Sequence, residues 1–329
     1  MKKIMLSIFI LVSLGIVSGC ETGDISGEFR EALPESDMIS LDIPSETKKD
    51  LNDLSEHYSM TLKVTRDINY AVLNWLLVVK TIISFKPTQA DESEAIWGPW
   101  LPDDGLSYTE YRFVVNKDDD SGFNYRLQMR TRNPVGEYVD VYTGHIDGGS
   151  TSLFNSGTME FNFDAAGAVD PAITQRGSIS VIYDYSNGGK NNRVSFDEFT
   201  DENGNGPTTA EYHYVAESSG EGYFDFETWG DVHADSVEYS EYTAIEHLEL
   251  RSRWNDSGDG RCDVMVTEGD LETLDITDYT KTECWNDTFS SVYMEEAVSF
   301  GDGTDYQNVL WGESSSCPDN FLDFSSPEL

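Results

Sequence analysis

Apolar side chains recur at every second position in stretch after stretch of this chain beyond Trp97. Phe123, Tyr125, Leu127 and Met129 alternate with Asn124, Arg126, Gln128 and Arg130. Met159, Phe161 and Phe163 alternate with Glu160, Asn162 and Asp164, and Ile179, Val181, Tyr183 and Tyr185 are spaced the same way. Leu248, Leu250 and Ser252 alternate with His247, Glu249, Arg251 and Arg253. A period of two sends one set of side chains to a dry face and the other to water, the pattern of antiparallel sheet. Turn signals separate the runs: Asp120-Ser121-Gly122, Asn187-Gly188-Gly189, Asn203-Gly204-Asn205-Gly206, Ser219-Gly220-Glu221-Gly222 and Ser257-Gly258-Asp259-Gly260. This rhythm predicts about 10 to 12 strands in one domain over residues 95–298. The chain's 17 Tyr, 16 Phe and 7 Trp supply a core and argue against disorder despite the acidity.

A meander of that size must curl, close or be covered, because bare apolar faces and open edges invite aggregation. The cover is read from residues 46–86. There Leu51, Leu54, Tyr58, Ile68, Val72, Leu76, Val79 and Ile83 recur at steps of three and four, with Thr61 and Thr65 in the gap. That stripe predicts one long helix, or two stacked helices broken near Thr61, ending before Pro87. Beyond Ile68 the segment is apolar on more than one face, which suits burial against a sheet; a coiled-coil partner is the alternative. The expected fold is mainly β: a large curved antiparallel sheet or barrel with a long N-terminal helix on its concave side. Residues 20–45, with Pro34 and Pro44, read as a flexible tether, and residues 299–329 as an acidic tail.

The first twenty residues carry an address. Lys2 and Lys3 precede an apolar run from Ile4 to Ile16, which is shorter than the roughly 20 residues of a membrane span. Val17-Ser18-Gly19-Cys20 then closes the segment. This stretch resembles the lipobox of bacterial lipoproteins. The resemblance implies a signal peptide over residues 1–19 and acyl chains, such as palmitate, on Cys20. It also implies that Glu21, where an Asp would signal inner-membrane retention, favours the outer membrane. Two or three acyl chains anchor stably where one is marginal. The expected location is the bacterial cell envelope, with the membrane as a partner through the N-terminal lipid.

Composition excludes one partner class. With 61 acidic and 21 basic residues, the formal net charge is −40. Phosphate recognition needs clustered Lys and Arg, so no nucleic acid is expected. Calcium is the sharper reading of the acid. Asp201, Asn203 and Asn205 followed by Gly206 match the opening of a calcium loop, but Tyr212 stands where the bidentate Glu belongs, which leaves weak binding or a polar hairpin. Glu211 and His213 share one strand face and His247 and Glu249 another, a transition-metal set only if those strands are neighbours. No nucleophile elbow, Walker loop or dinucleotide fingerprint occurs. Carboxylate pairs for glycoside hydrolysis are everywhere, so none stands out and a hydrolase is the weakest reading. Among the cysteines, Cys262 alternates with Val264 and Val266 and should face the core. Cys284 should face outward, and a Cys284–Cys317 bridge pinning the tail is expected, with Cys262–Cys284 as runner-up.

Two regions look familiar. One is Trp97-Gly98-Pro99-Trp100. The other runs from Leu248–Trp254 through Gly260-Arg261-Cys262-Asp263-Val264 and Glu268-Gly269-Asp270-Leu271 to Glu283-Cys284-Trp285-Asn286-Asp287-Thr288-Phe289 and Val292-Tyr293. In that order they resemble a group of uncharacterised lipoproteins from myxobacteria and related deltaproteobacteria. The resemblance implies architecture and location, not an activity. The resulting expectation is a non-enzymatic acidic envelope lipoprotein. It binds either a hydrophobic small molecule within a curved sheet or, if the helix fills the concavity, another envelope protein on its surface.

Overall fold

The computed structural model describes residues 29, 40, 41, 43, 54–101, 108–118, 122–147, 156–185, 188–204, 206–231 and 242–317. Fifteen strands form one antiparallel sheet whose spatial order is the chain order. They are β1 (Gln89–Ala90), β2 (Glu94–Trp100), β3 (Thr109–Lys117), β4 (Phe123–Thr131), β5 (Val139–Ile146), β6 (Ser156–Asn162), β7 (Arg176–Asp184) and β8 (Lys190–Thr200). The order continues with β9 (Thr208–Ala216), β10 (Gly222–Gly230), β11 (Glu246–Trp254), β12 (Gly260–Glu268), β13 (Ile276–Trp285), β14 (Ser291–Phe300) and β15 (Asp305–Gly312). The sheet is open, with β1 and β15 at its edges. Helix α1 (Glu56–Ser84) precedes it, and α2 (Phe163–Val169) and α3 (Asp270–Thr273) are short.

The mainly antiparallel β architecture follows from the alternation, but three sequence expectations need correction. The strand count exceeds 10 to 12, and no barrel closes. The sheet also passes Val298: residues 299–329 were expected to be tail, yet β15 pairs with β14 from Ser299↔Asp305 to Tyr293↔Gly312. Its turn residues, Gly301 to Thr304, make a tight hairpin that their polarity disguised as tail. Of the segment 20–45, expected to be a tether, only Phe29, Ser40, Leu41 and Ile43 are among the described residues. Phe29, Leu41 and Ile43 are buried in the core, and Phe29 meets Phe123 edge-on at 5.9 Å. The side chain of Asn69 clamps Leu41, accepting its N–H at 2.6 Å and donating to its carbonyl at 2.7 Å. Isolated apolar residues can dock this way without any periodic pattern.

Register aligns the dry faces into continuous rows. Trp97, Phe113, Leu127, Tyr142, Phe161, Ile179 and Phe196 are successive partners across seven strands. Val194, Tyr212, Phe226, Leu250 and Val264 extend a second row. Aromatic pairs along these rows, such as Tyr212–Phe226 at 4.7 Å, add to the area they bury. α1 is unbroken at Thr61, where the hydroxyls of Thr61 and Thr65 donate to the carbonyls of His57 and Thr61 one turn back. Its Ile68, Leu76, Val79, Ile82 and Ile83 join the core. The side chain of Val72 lies outside the described residues. No described helix is long and apolar enough to cross a membrane.

Candidate functional site

A buried polar cluster lies where α1 begins. A helix exposes unpaired N–H groups in its first turn, and here each finds an acceptor. The Ser55 hydroxyl caps Tyr58 N–H at 3.3 Å. The Glu283 carboxylate, from β13, accepts Glu56 N–H at 3.2 Å and His57 N–H at 2.7 Å. Ser55 N–H donates to the Phe289 carbonyl at 2.9 Å, and Lys281 donates to Glu56 at 2.9 Å. Tyr58 stacks on Phe289 at 4.6 Å and meets Trp285 at 5.4 Å. A buried carboxylate is costly alone, but two N–H donors and the positive helix end offset that cost.

Beneath this turn, Ser252, Cys262 and Glu283 are register partners on β11, β12 and β13, all fully buried. The His57 ring reaches the Cys262 carbonyl. Its Nδ1 and the Ser252 hydroxyl are buried without a hydrogen-bond partner. Burial lowers the His57 pKa against the raising influence of Glu283, so the ring is neutral. Burial pushes the Cys262 thiol well above its usual range, so it stays a thiol, an inert form. Nucleophile, base and carboxylate are all present, but sealed from solvent. The arrangement holds the start of a helix.

The ligand reading of the sequence turns attention to the space between helix and sheet. Where Leu76 and Val79 meet Tyr125, Tyr142, Met159 and Tyr183, a cavity of about 10 Å³ remains. That is room for about one water. The Tyr183 hydroxyl is buried without a partner, and the ring lines this cavity.

The outer face spends the chain's scarce cations on carboxylates. Arg261 grips both oxygens of Asp263 at 2.8 Å, and Thr282 donates to the same group at 2.6 Å. Burial still raises the Asp263 pKa against Arg261. Arg253 pairs with Asp225, and Arg251 with Glu249 at 2.6 Å.

Of the residues singled out by sequence, Cys20 and Asn205 lie outside the described residues. Asp201 is buried and accepts Asn203 N–H at 2.8 Å, closing its own turn. Among the described residues no group of three His, Cys, Asp or Glu is arranged to hold a metal. The two histidine–glutamate strands are not neighbours, since β10 separates β9 from β11. His247 instead bonds Glu227 at 2.9 Å and stacks on Trp229 at 4.5 Å. His213 meets Asn191 at 3.0 Å; burial, then Arg193 and Arg253, lower its pKa to about 4. Cys284 and Cys317 form a disulfide across 33 residues, and Cys262 is a free thiol. Cys284 lies on the face away from α1, as Arg261↔Cys284 pairing requires, yet it is fully buried beside the turn that carries Cys317. The cluster under α1 has no local signature because its helix members lie more than 190 residues from its sheet members; the one hint in the sequence is an acid, Glu283, on the dry phase of its strand. No family model, curated protein or solved structure matches this chain.

Proposed function

We propose that this chain is a non-enzymatic lipoprotein of the bacterial envelope, anchored through acylated Cys20 at the outer membrane. In this reading its helix-filled sheet is a stiff acidic scaffold for protein partners. One observation carries the reading: where Leu76 and Val79 of α1 meet the sheet, the cavity between them is about 10 Å³. Small-molecule sites need roughly 300 Å³ or more. The sealed state of His57, Ser252, Cys262 and Glu283 supports the non-enzymatic part.

Curvature has its own support. α1 docks at β13 through Glu283, and the carbonyl of Phe85, just past its end, accepts Trp97 Nε1–H from β2 at 2.9 Å. Those strands are eleven steps apart in the sheet order. A flat sheet would separate them by about 53 Å at ~4.8 Å per step. The 29-residue helix reaches only about 43 Å at ~1.5 Å per residue. A sheet bent around the helix, with α1 on the concave side, reconciles the two lengths.

The test is mass spectrometry of the full chain purified from its host's membranes. Under denaturing conditions the mass should include acyl chains that disappear in Cys20→Ala. Under native conditions no further small molecule should remain bound. Acyl chains persisting on Cys20→Ala would sink the anchor, and a retained apolar molecule would sink the filled scaffold.

A further inference from the structure

The two edges of the sheet are treated unequally. β1 is two residues long, a short edge that offers little to pair with. β15 is eight residues long, and seven of them are exposed. Tyr306 is 55% exposed, Val309 53%, Trp311 46% and Leu310 40%. The strand has no Pro and no Lys, the residues that natural edges use to repel pairing. Among the described strands only β14 pairs with it, so alternate residues turn their N–H and C=O groups to an open side. Its side chains are already held in place: Trp311 donates to Ser291 at 3.0 Å, Gln307 to Glu295 at 2.8 Å and Asn308 to Glu296 at 3.0 Å.

Charge says what suits this edge. Between Asn286 and Cys317 the chain carries Asp287, Glu295, Glu296, Asp302, Asp305 and Glu313, and no Lys, Arg or His. Asp302 and Asp305 stand at one end of β15 and Glu313 follows the other. Antiparallel pairing with a second copy would bring acid against acid at both ends, between molecules of net charge −40. We propose that β15 is a docking edge for an extended segment of a basic protein, apolar in its middle and bearing Lys or Arg at both ends, which adds a sixteenth strand. Main-chain hydrogen bonds supply the affinity, Tyr306, Val309 and Trp311 pack on alternate side chains, and the acids at the ends set the register. This rests on the scaffold reading above and names its class of partner.

The probe is a capped, fluorescently labelled heptapeptide, Lys-Val-Thr-Val-Thr-Val-Lys, titrated against the full chain and followed by anisotropy. It should bind, should weaken as salt is raised, and should bind more tightly than the same peptide ending in Glu. The double variant Tyr306→Lys, Val309→Lys should lower its affinity at least about tenfold. Both side chains are exposed, so the variant should keep the wild-type unfolding midpoint. No binding, equal affinity for the variant, or equal affinity for the Glu-ended peptide would each overturn the proposal. So would a concentration-dependent dimer abolished by the variant, which would assign the edge to a second copy. A bound apolar molecule in native mass spectra would defeat the scaffold reading without altering the peptide result, so the two can fail separately.

Discussion

Trp285 lies across Gly260, its register partner on β12, and leaves no space for a side chain there. A Cβ built on Gly260 would sit 2.3 Å from Trp285 Cζ2 and 2.4 Å from the Arg253 carbonyl oxygen. The same device recurs at Gly157, where a Cβ would lie 2.5 Å from the Tyr183 hydroxyl. A ring over a bare backbone fills the dry face without a second side chain. Gly260→Ala should therefore destabilise the chain by about 1–3 kcal/mol, the usual cost of overpacking, read as a lower urea midpoint with an unchanged slope. In the sequence Gly260 reads only as the last residue of the turn signal that begins at Ser257. Nothing local distinguishes a turn glycine from one kept bare by a tryptophan 25 positions later. Alternation, by contrast, was legible wherever one residue type dominated a face, as from Phe123 to Met129.

The helix shows what one element can and cannot declare. Its apolar stripe and its stop before Pro87 are local properties, and both are readable from spacing. Its start is not. Residues 46–53 of the expected helical segment lie outside the described residues, and α1 begins at Glu56 behind Ser55. The deciding contacts come from β13 and the β13–β14 turn, more than 220 residues away, and no local pattern contains them. Removing the Glu283 carboxylate leaves two N–H groups at a buried helix end without acceptors, at about 1–3 kcal/mol each. Glu283→Ala should thus lower stability by roughly 2–5 kcal/mol. Hydrogen exchange should rise first at the amides of Glu56 and His57, while strands such as β7 keep their protection. Uniform loss of protection across sheet and helix would mean that Glu283 supports the whole core rather than the docking of α1. Lys281→Ala removes only the bond to largely exposed Glu56 and should cost under about 1 kcal/mol.

At the scale of the molecule, charge and titration oppose each other. Two histidines, His57 and His213, are buried with pKa values below the ordinary 6.5, and that of His213 falls to about 4. Both rings stay neutral in the folded chain at pH values where the unfolded chain takes up protons. The unfolded state then binds more protons, so stability falls as pH drops from about 6.5 towards 4. Each ring contributes at most about 1.4 kcal/mol per pH unit. Urea midpoints measured from pH 7 to 4.5 should decline, and His213→Asn should make the decline shallower. A flat wild-type profile would show that relief of acidic self-repulsion cancels both rings. Composition announced the acidity, but not that Arg251, Arg253 and Arg261 are committed to carboxylates on one face, since that depends on register. The extent of the sheet was misjudged for a related reason. β15 is exposed on both faces, so it lacks the wet–dry contrast that makes a strand visible in sequence.

The placement of α1 across a sheet that follows chain order also sets a clock. The helix is made before the sheet, and the carboxylate that caps it arrives 226 residues after His57. At ribosomal rates of about 5–20 residues per second that is a wait of roughly 10 to 45 s. During it the apolar stripe from Ile68 to Ile83 has neither its far anchor nor most of the strands it covers.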